Sequence, residues 1–158
     1  NTWANTPQLS AGVLRGHQNF RVEGGNSGQV LFRGTGTHRV ELVGTGSRYI
    51  RMDLPGTLTP SAGRCFRNLT IGAAYTTLQG TTAGASSTIC VSGELTVQSG
   101  ADGPATLTVG SQQTLLVGSL RVQDEGVVNF EIGGALSPAN SCTRDTSSSV
   151  TGVSCAVQ

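Results

Sequence analysis

The sequence predicts an all-β chain, arranged as a β-solenoid with coils of about 25 residues or else as a two-sheet β-sandwich. Three observations carry this. Helical periodicity is nearly absent, while glycine and threonine are abundant, with 23 glycines among 158 residues. Short β-branched and apolar runs are punctuated by glycine at close spacing, the signature of strands and tight turns. A short motif also returns at nearly constant steps. Leu69-Thr70-Ile71 recurs as Leu95-Thr96-Val97 after 26 residues and as Leu120-Arg121-Val122 after 25.

The strands are expected at 12–15, 19–23, 29–33, 38–43, 48–53, 66–71, 75–79, 87–91, 94–98, 105–109, 114–122 and 127–132. Each copy of the motif is followed by a second strand, at 75–78, 106–109 and 129–132. A third strand precedes the next copy, at 88–91 and 114–117. Three short strands per repeat is what one solenoid coil requires. Upstream, Arg33-Gly34-Thr35-Gly36 is echoed ten residues later by Val43-Gly44-Thr45-Gly46, which would be half of a smaller coil.

The chain reads as one domain of 1–158, long enough to bury roughly 70% of its unfolded surface. Within it, 1–11 is expected to form an N-terminal arm or cap, 12–136 the β core, and 137–158 a polar loop stapled by a disulfide. Caps matter because an open coil end is an unpaired sheet edge.

Cysteines stand at 65, 90, 142 and 155, with no Cys-x-x-Cys pair and no histidine nearby in sequence. Two disulfides in an oxidising compartment fit better than a metal site. Cys65 and Cys90 are one repeat apart, and stacked coils lie about 4.8 Å apart, within the Cα separation a disulfide spans. In a sandwich the same pair would join two sheets. Cys142 and Cys155 would close the C-terminal loop.

These features suggest an extracellular or cell-surface protein. The chain opens at Asn1 rather than Met, as after removal of a signal peptide, although a fragment reads the same way. No run of 18 apolar residues exists, so no transmembrane helix is expected in this chain.

Catalytic motifs are missing: there is no Gly-x-Ser-x-Gly elbow, no Walker loop and no His-Glu-x-x-His. The nine carboxylates are spread singly except Asp124-Glu125, which precedes Gly126 in an expected exposed turn. A glycosidase pair assembled from distant acids is the enzymatic alternative. His17 and His38 read as solvated strand-face residues. No catalytic residue, metal site or cofactor is therefore expected, and the chain reads as a non-enzyme. Asn68-Leu69-Thr70 matches a glycosylation sequon, read here as unoccupied.

Charge is uneven along the chain. Residues 1–67 hold eight arginines against three acids, a balance of +5, and residues 68–158 two arginines against six acids, a balance of −4. In a solenoid, sequence order is axial order, so the two ends would carry opposite charge and favour head-to-tail association. The basic half also suits an anionic polymer such as DNA or acidic glycan, with Arg33, Arg39, Arg48 and Arg51 as the candidate stripe. The bland reading is arginines on a solvated face.

The Gly-punctuated Leu-Thr-Val units at 69–71, 95–97 and 120–122 resemble those of bacterial secreted β-solenoid proteins, the adhesins and autotransporter passengers. The resemblance spans about residues 66–133. The Cys142–Cys155 loop is similar to the disulfide loop that closes many type IV pilins, some of which carry an inserted β-solenoid and are linked to DNA uptake. A pilin's apolar N-terminal helix has no counterpart in this chain. Together these imply a non-enzymatic structural or adhesive subunit of a bacterial surface filament or pilus, with self-association and surface or polyanion contact. The second reading is a carbohydrate-binding or polysaccharide-degrading β-helix domain. Its weakness is aromatic supply, since only Trp3, Tyr49 and Tyr75 could stack on sugar rings.

Overall fold

The computed structural model describes residues 9–22, 34–52, 65–79, 87–101, 103–131, 135–144 and 149–150. Among these the chain is all-β: ten strands, no helix, and a single sheet. The strands are β1 (Val13–Gly16), β2 (Phe20–Val22), β3 (Arg39–Met52), β4 (Asn68–Gln79), β5 (Ser87–Gln98), β6 (Thr106–Val109), β7 (Gln113–Gln123), β8 (Val127–Phe130), β9 (Ala135–Arg144) and β10 (Ser149–Val150).

Every strand pairing is parallel. Parallel partners need a long connection, usually helical. Here strands that belong to other rows lie within the connection between partners in one row. The first row runs β1, the front of β3, the front of β4, the back of β5, the back of β7 and the back of β9. The second runs β2, the back of β3, the back of β4, β6, β8 and β10. The third joins the fronts of β5, β7 and β9, extended by a Phe66–Val91 bridge.

The sequence repeat is the register of the first row. Leu69 lies opposite Leu95, and Leu95 opposite Leu120, the same steps of 26 and 25 residues that the motif takes. Because side chains alternate across a strand, in-register stacking turns each inward position into a column. Val40, Leu69, Leu95 and Leu120 form one; Leu42, Ile71, Val97 and Val122 form another. In the second row Ile50, Leu78 and Val109 stack, and so do Thr76, Leu107 and Val128. In the third, Ile89 stacks on Leu115 and Val91 on Val117. All are buried, and residues from all three rows belong to one apolar cluster. Phe20 of the second row meets Phe66 of the third with ring centroids 5.1 Å apart.

In β7 the chain passes from the third row to the first at a position where a side chain would not fit. Where β5 places Ser92 and Gly93 opposite the single Gly118 of β7, the register shifts as in a bulge. A Cβ on Gly118 would lie 2.6 Å from the Ser92 carbonyl oxygen and 2.7 Å from that of Gly93. Glycine lets the two backbones approach.

Four expectations are corrected. Residues 38–43 with 48–53, 66–71 with 75–79, and 87–91 with 94–98 were each expected as two strands; each pair is one continuous strand that serves two rows. The partner of 106–109 is 127–130, not 129–132, because the turn at 124–126 is shorter than the 99–105 connection one pass earlier. The upstream echo is not half a coil: Gly34 precedes β3, Gly44 lies inside it, and Arg39 finds its partner 29 residues on at Asn68. Residues 137–144, expected within the stapled loop, belong to β9, which pairs with β7 through its backbone despite a polar sequence. The strand expected at 29–33 and most of the arm at 1–11 lie outside the described residues.

Candidate interaction surface

The disulfide joins Cys65 to Cys90, with Cα atoms 4.6 Å apart across a separation of 25 residues. It fastens adjacent passes of the third row beside the Phe66–Val91 bridge, where Phe66 N–H donates to the Cys90 carbonyl at 2.9 Å and Ser92 N–H to the Phe66 carbonyl at 2.8 Å. Cys142 lies in β9, opposite Leu120. Cys155 is outside the described residues, and the expected Cys142–Cys155 pairing falls there with it.

The four arginines of the candidate stripe do not form one line. Arg39 is exposed at the start of β3 in the first row, and Arg51 is half-buried near its end in the second. Arg48 shares the parity of buried Ile50 and lies opposite buried Thr76, so its backbone position faces inward. Its guanidinium folds back to donate to the Gly46 carbonyl. Arg33 is outside the described residues. Arg15, which sequence reasoning did not single out, pairs with Glu41 directly opposite it, Nη2 to Oε2 at 2.8 Å.

Other candidates disperse along the rows. Asp124 and Glu125 occupy the expected exposed turn, which joins the first row to the second within one pass, and both have positive φ (47° and 61°), as in the mirror-image turn types. His17 is exposed, but His38, expected on a solvated face, is buried at 3% exposure just ahead of β3. Among the described residues no three His, Cys, Asp or Glu side chains group as metal ligands do, and no helix is long and apolar enough to cross a membrane. Asn68 of the sequon is built into the first row. Its amide nitrogen donates to the His38 carbonyl and its oxygen accepts from Glu94 N–H, both at 3.2 Å, so one side chain ties three passes together.

Two surfaces stand out. One is the outward side of the second row, where Tyr49 and Tyr75 lie in adjacent passes beside Thr77, Thr106 and Thr108. Tyr75 is 61% exposed.

The other is the leading edge. Among the described residues β1 and β2 pair with no strand other than β3. Leu14 sits opposite Val40, at the open end of the Val40–Leu69–Leu95–Leu120 column. Val40 is 1% exposed and Leu14 is 47% exposed, with Val13 and Leu9 also exposed. At the opposite end, among the described residues, β9 pairs only with β7 and β10 only with β8. No protein-family model, curated protein or solved structure matches the chain.

The chemistry of this surface is backbone pairing and apolar contact. Sheet edges recruit another strand where their N–H and C=O groups are unpaired, and the exposed Val13 and Leu14 side chains favour apolar cover.

Proposed function

We propose that the three rows close around their shared core into a three-sided β-solenoid, and that this body is a non-enzymatic structural or adhesive subunit of a bacterial surface filament or pilus. The observation that carries the reading is the uniform parallel, in-register pairing, in which β1 and β9 stand at opposite ends of the first row among the described residues. A stacked body of this kind is suited to rigid display, and to self-association where its end strands are unpaired. The Leu-Thr-Val resemblance to secreted solenoid adhesins points the same way, and the Cys65–Cys90 disulfide is compatible with an extracellular or cell-surface setting.

Strand order in each row follows chain order, so the described charges before residue 68, six arginines against Glu41, lie towards one end of the rows, and those after it, two arginines against four acids, towards the other. That separation supports oriented association. It also supports contact between the basic half and an anionic polymer, DNA or acidic glycan, through outward Arg39 and Arg51 rather than inward-facing Arg48. A carbohydrate-binding surface is the second reading, favoured by Tyr49 and Tyr75 sharing one outward face.

Sedimentation velocity over a concentration series tests the first reading. Linear oligomers that grow with concentration and shorten as salt rises are expected, because screening weakens the end-to-end attraction. A strict monomer at high concentration and low salt overturns the filament reading, and retention of that monomer on insoluble polysaccharide would select the second.

A further inference from the structure

We infer that the outward face of the second row is a binding surface for a neutral polysaccharide, whose sugar rings stack on Tyr49 and Tyr75. The inference rests on the carbohydrate-binding reading and adds the face, its residues and the charge class of the ligand. It does not depend on self-association.

The chain has two tyrosines, and both stand on this face in adjacent passes. Alternation puts them there: Tyr49 precedes buried Ile50, and Tyr75 precedes buried Thr76, so both side chains leave the core side of the sheet. Register makes them diagonal neighbours, since Ser47 is the partner of Tyr75 and Thr77 that of Tyr49. A strand spacing of about 4.8 Å and a step of two residues put their Cα atoms roughly 8 Å apart, close enough for one extended chain to rest on both. Tyrosine offers a broad, rigid ring with a polar tip, which suits the mixed apolar and hydroxylated faces of a sugar. The same register lines up hydroxyls beside the rings. Thr106 lies opposite Tyr75, and Thr77, Thr108 and Asn129 continue the column of Tyr49. Hydroxyl and amide groups both donate and accept, as sugar hydroxyls do. Charge selects the ligand class. The outward positions of β4, β6 and β8 in this row carry tyrosine, threonine, glutamine, valine and asparagine and no charged group. Arg21 and Arg51 face each other at its leading side, away from these columns.

Binding to amorphous cellulose and to chitin, two neutral probes, and to heparin–agarose, an anionic one, tests the inference. Wild type should be retained on a neutral probe to the same extent at low and high salt, because no counterions are released. Tyr75→Ala should weaken that binding about tenfold or more, as when an aromatic anchor is truncated. Tyr75→Phe keeps the ring and should bind nearly as wild type does. Arg39→Ala, at an exposed position on the first row, should leave binding unchanged. Tyr75 is 61% exposed, so its truncation leaves the core intact; far-UV circular dichroism and sedimentation of each variant show that fold and assembly match wild type. Should Tyr75→Ala lose its strand signal, Tyr49→Ala is read by the same criteria. If a neutral probe retains wild type and the folded variant equally, the face is overturned while carbohydrate binding stands. Retention on heparin alone overturns the neutral class. If no probe retains wild type, the inference and the carbohydrate reading both fall.

Discussion

Leu95→Ala is expected to lower the unfolding free energy by about 2–5 kcal/mol, the usual cost of truncating a fully buried leucine. Leu95 is fully buried between Leu69 and Leu120 in the middle of a column. Backbone pairing on both sides fixes its strand, so the neighbouring leucines have little freedom to collapse into the cavity. The loss would be a large share of the roughly 5–15 kcal/mol that holds a typical domain folded. Leu14→Ala makes the control, because Leu14 ends the same column but is about half exposed. Its cost should stay near or below about 1 kcal/mol, since little of the removed surface was out of water. Urea denaturation of both variants checks the contrast. Equal losses would mean that Leu14 is as deeply packed as Leu95, and the open column end would be wrong.

Removing the disulfide should cost about 3 kcal/mol, the chain-entropy value for a loop of this length. The bond matters more for where it sits. At this level, among the described residues, the first row has three residue pairs, Leu69–Ile71 against Leu95–Val97, and the third row has the bridge between Phe66 and Val91. The Cys65–Cys90 link reinforces that bridge directly. Both cysteines are buried, so the double alanine variant is preferable to serine, which would bury unpaired hydroxyls. Urea midpoints of wild type with and without reductant, beside the Cys65→Ala/Cys90→Ala variant, measure the effect. Without reductant the wild type should unfold at a higher midpoint than the variant, and with reductant the two midpoints should coincide. A shift worth less than about 1 kcal/mol would mean that the passes hold together without the bond.

The later passes were legible in the sequence for a physical reason. An inward column needs an apolar residue of similar size at each level, so Leu69, Leu95 and Leu120 repeat in sequence because they touch in space. The cysteine pair obeys the same register. Earlier passes were obscure because they stack by alternation without repeating a motif. Arg39-Val40-Glu41-Leu42 lies on Asn68-Leu69-Thr70-Ile71, matching in pattern and not in identity. The last pass was missed because β9 reads Ser137-Pro138-Ala139-Asn140-Ser141, which carries turn signals and no apolar alternation. Its strand character comes from the β7 backbone beside it.

The interaction surface was legible only in outline. Opposite charge in the two halves and the need to cover coil ends pointed towards end-to-end contact. The apolar content of the leading edge did not, because Val13 and Leu14 read as ordinary strand residues until their partners are known. Arg48 was assigned to a solvated stripe by composition, although counting by twos from Ile50 puts it on the inward side. The alternation was available and was outweighed by the expectation that arginine faces water.

The account depends on each pass of the chain lying in register on the one before, and paired cysteines test that most directly. Thr77 and Thr108 are cross-strand partners on the outward side of the second row, with Thr106 one step off register on the same side. A disulfide spans Cα separations of roughly 4.4–6.8 Å, which an in-register neighbour meets and a diagonal one exceeds. Mild oxidation followed by non-reducing peptide mapping should find Thr77→Cys/Thr108→Cys closed and Thr77→Cys/Thr106→Cys open. Closure of the second pair and not the first would contradict the stacking on which the core, the open ends and the filament all rest.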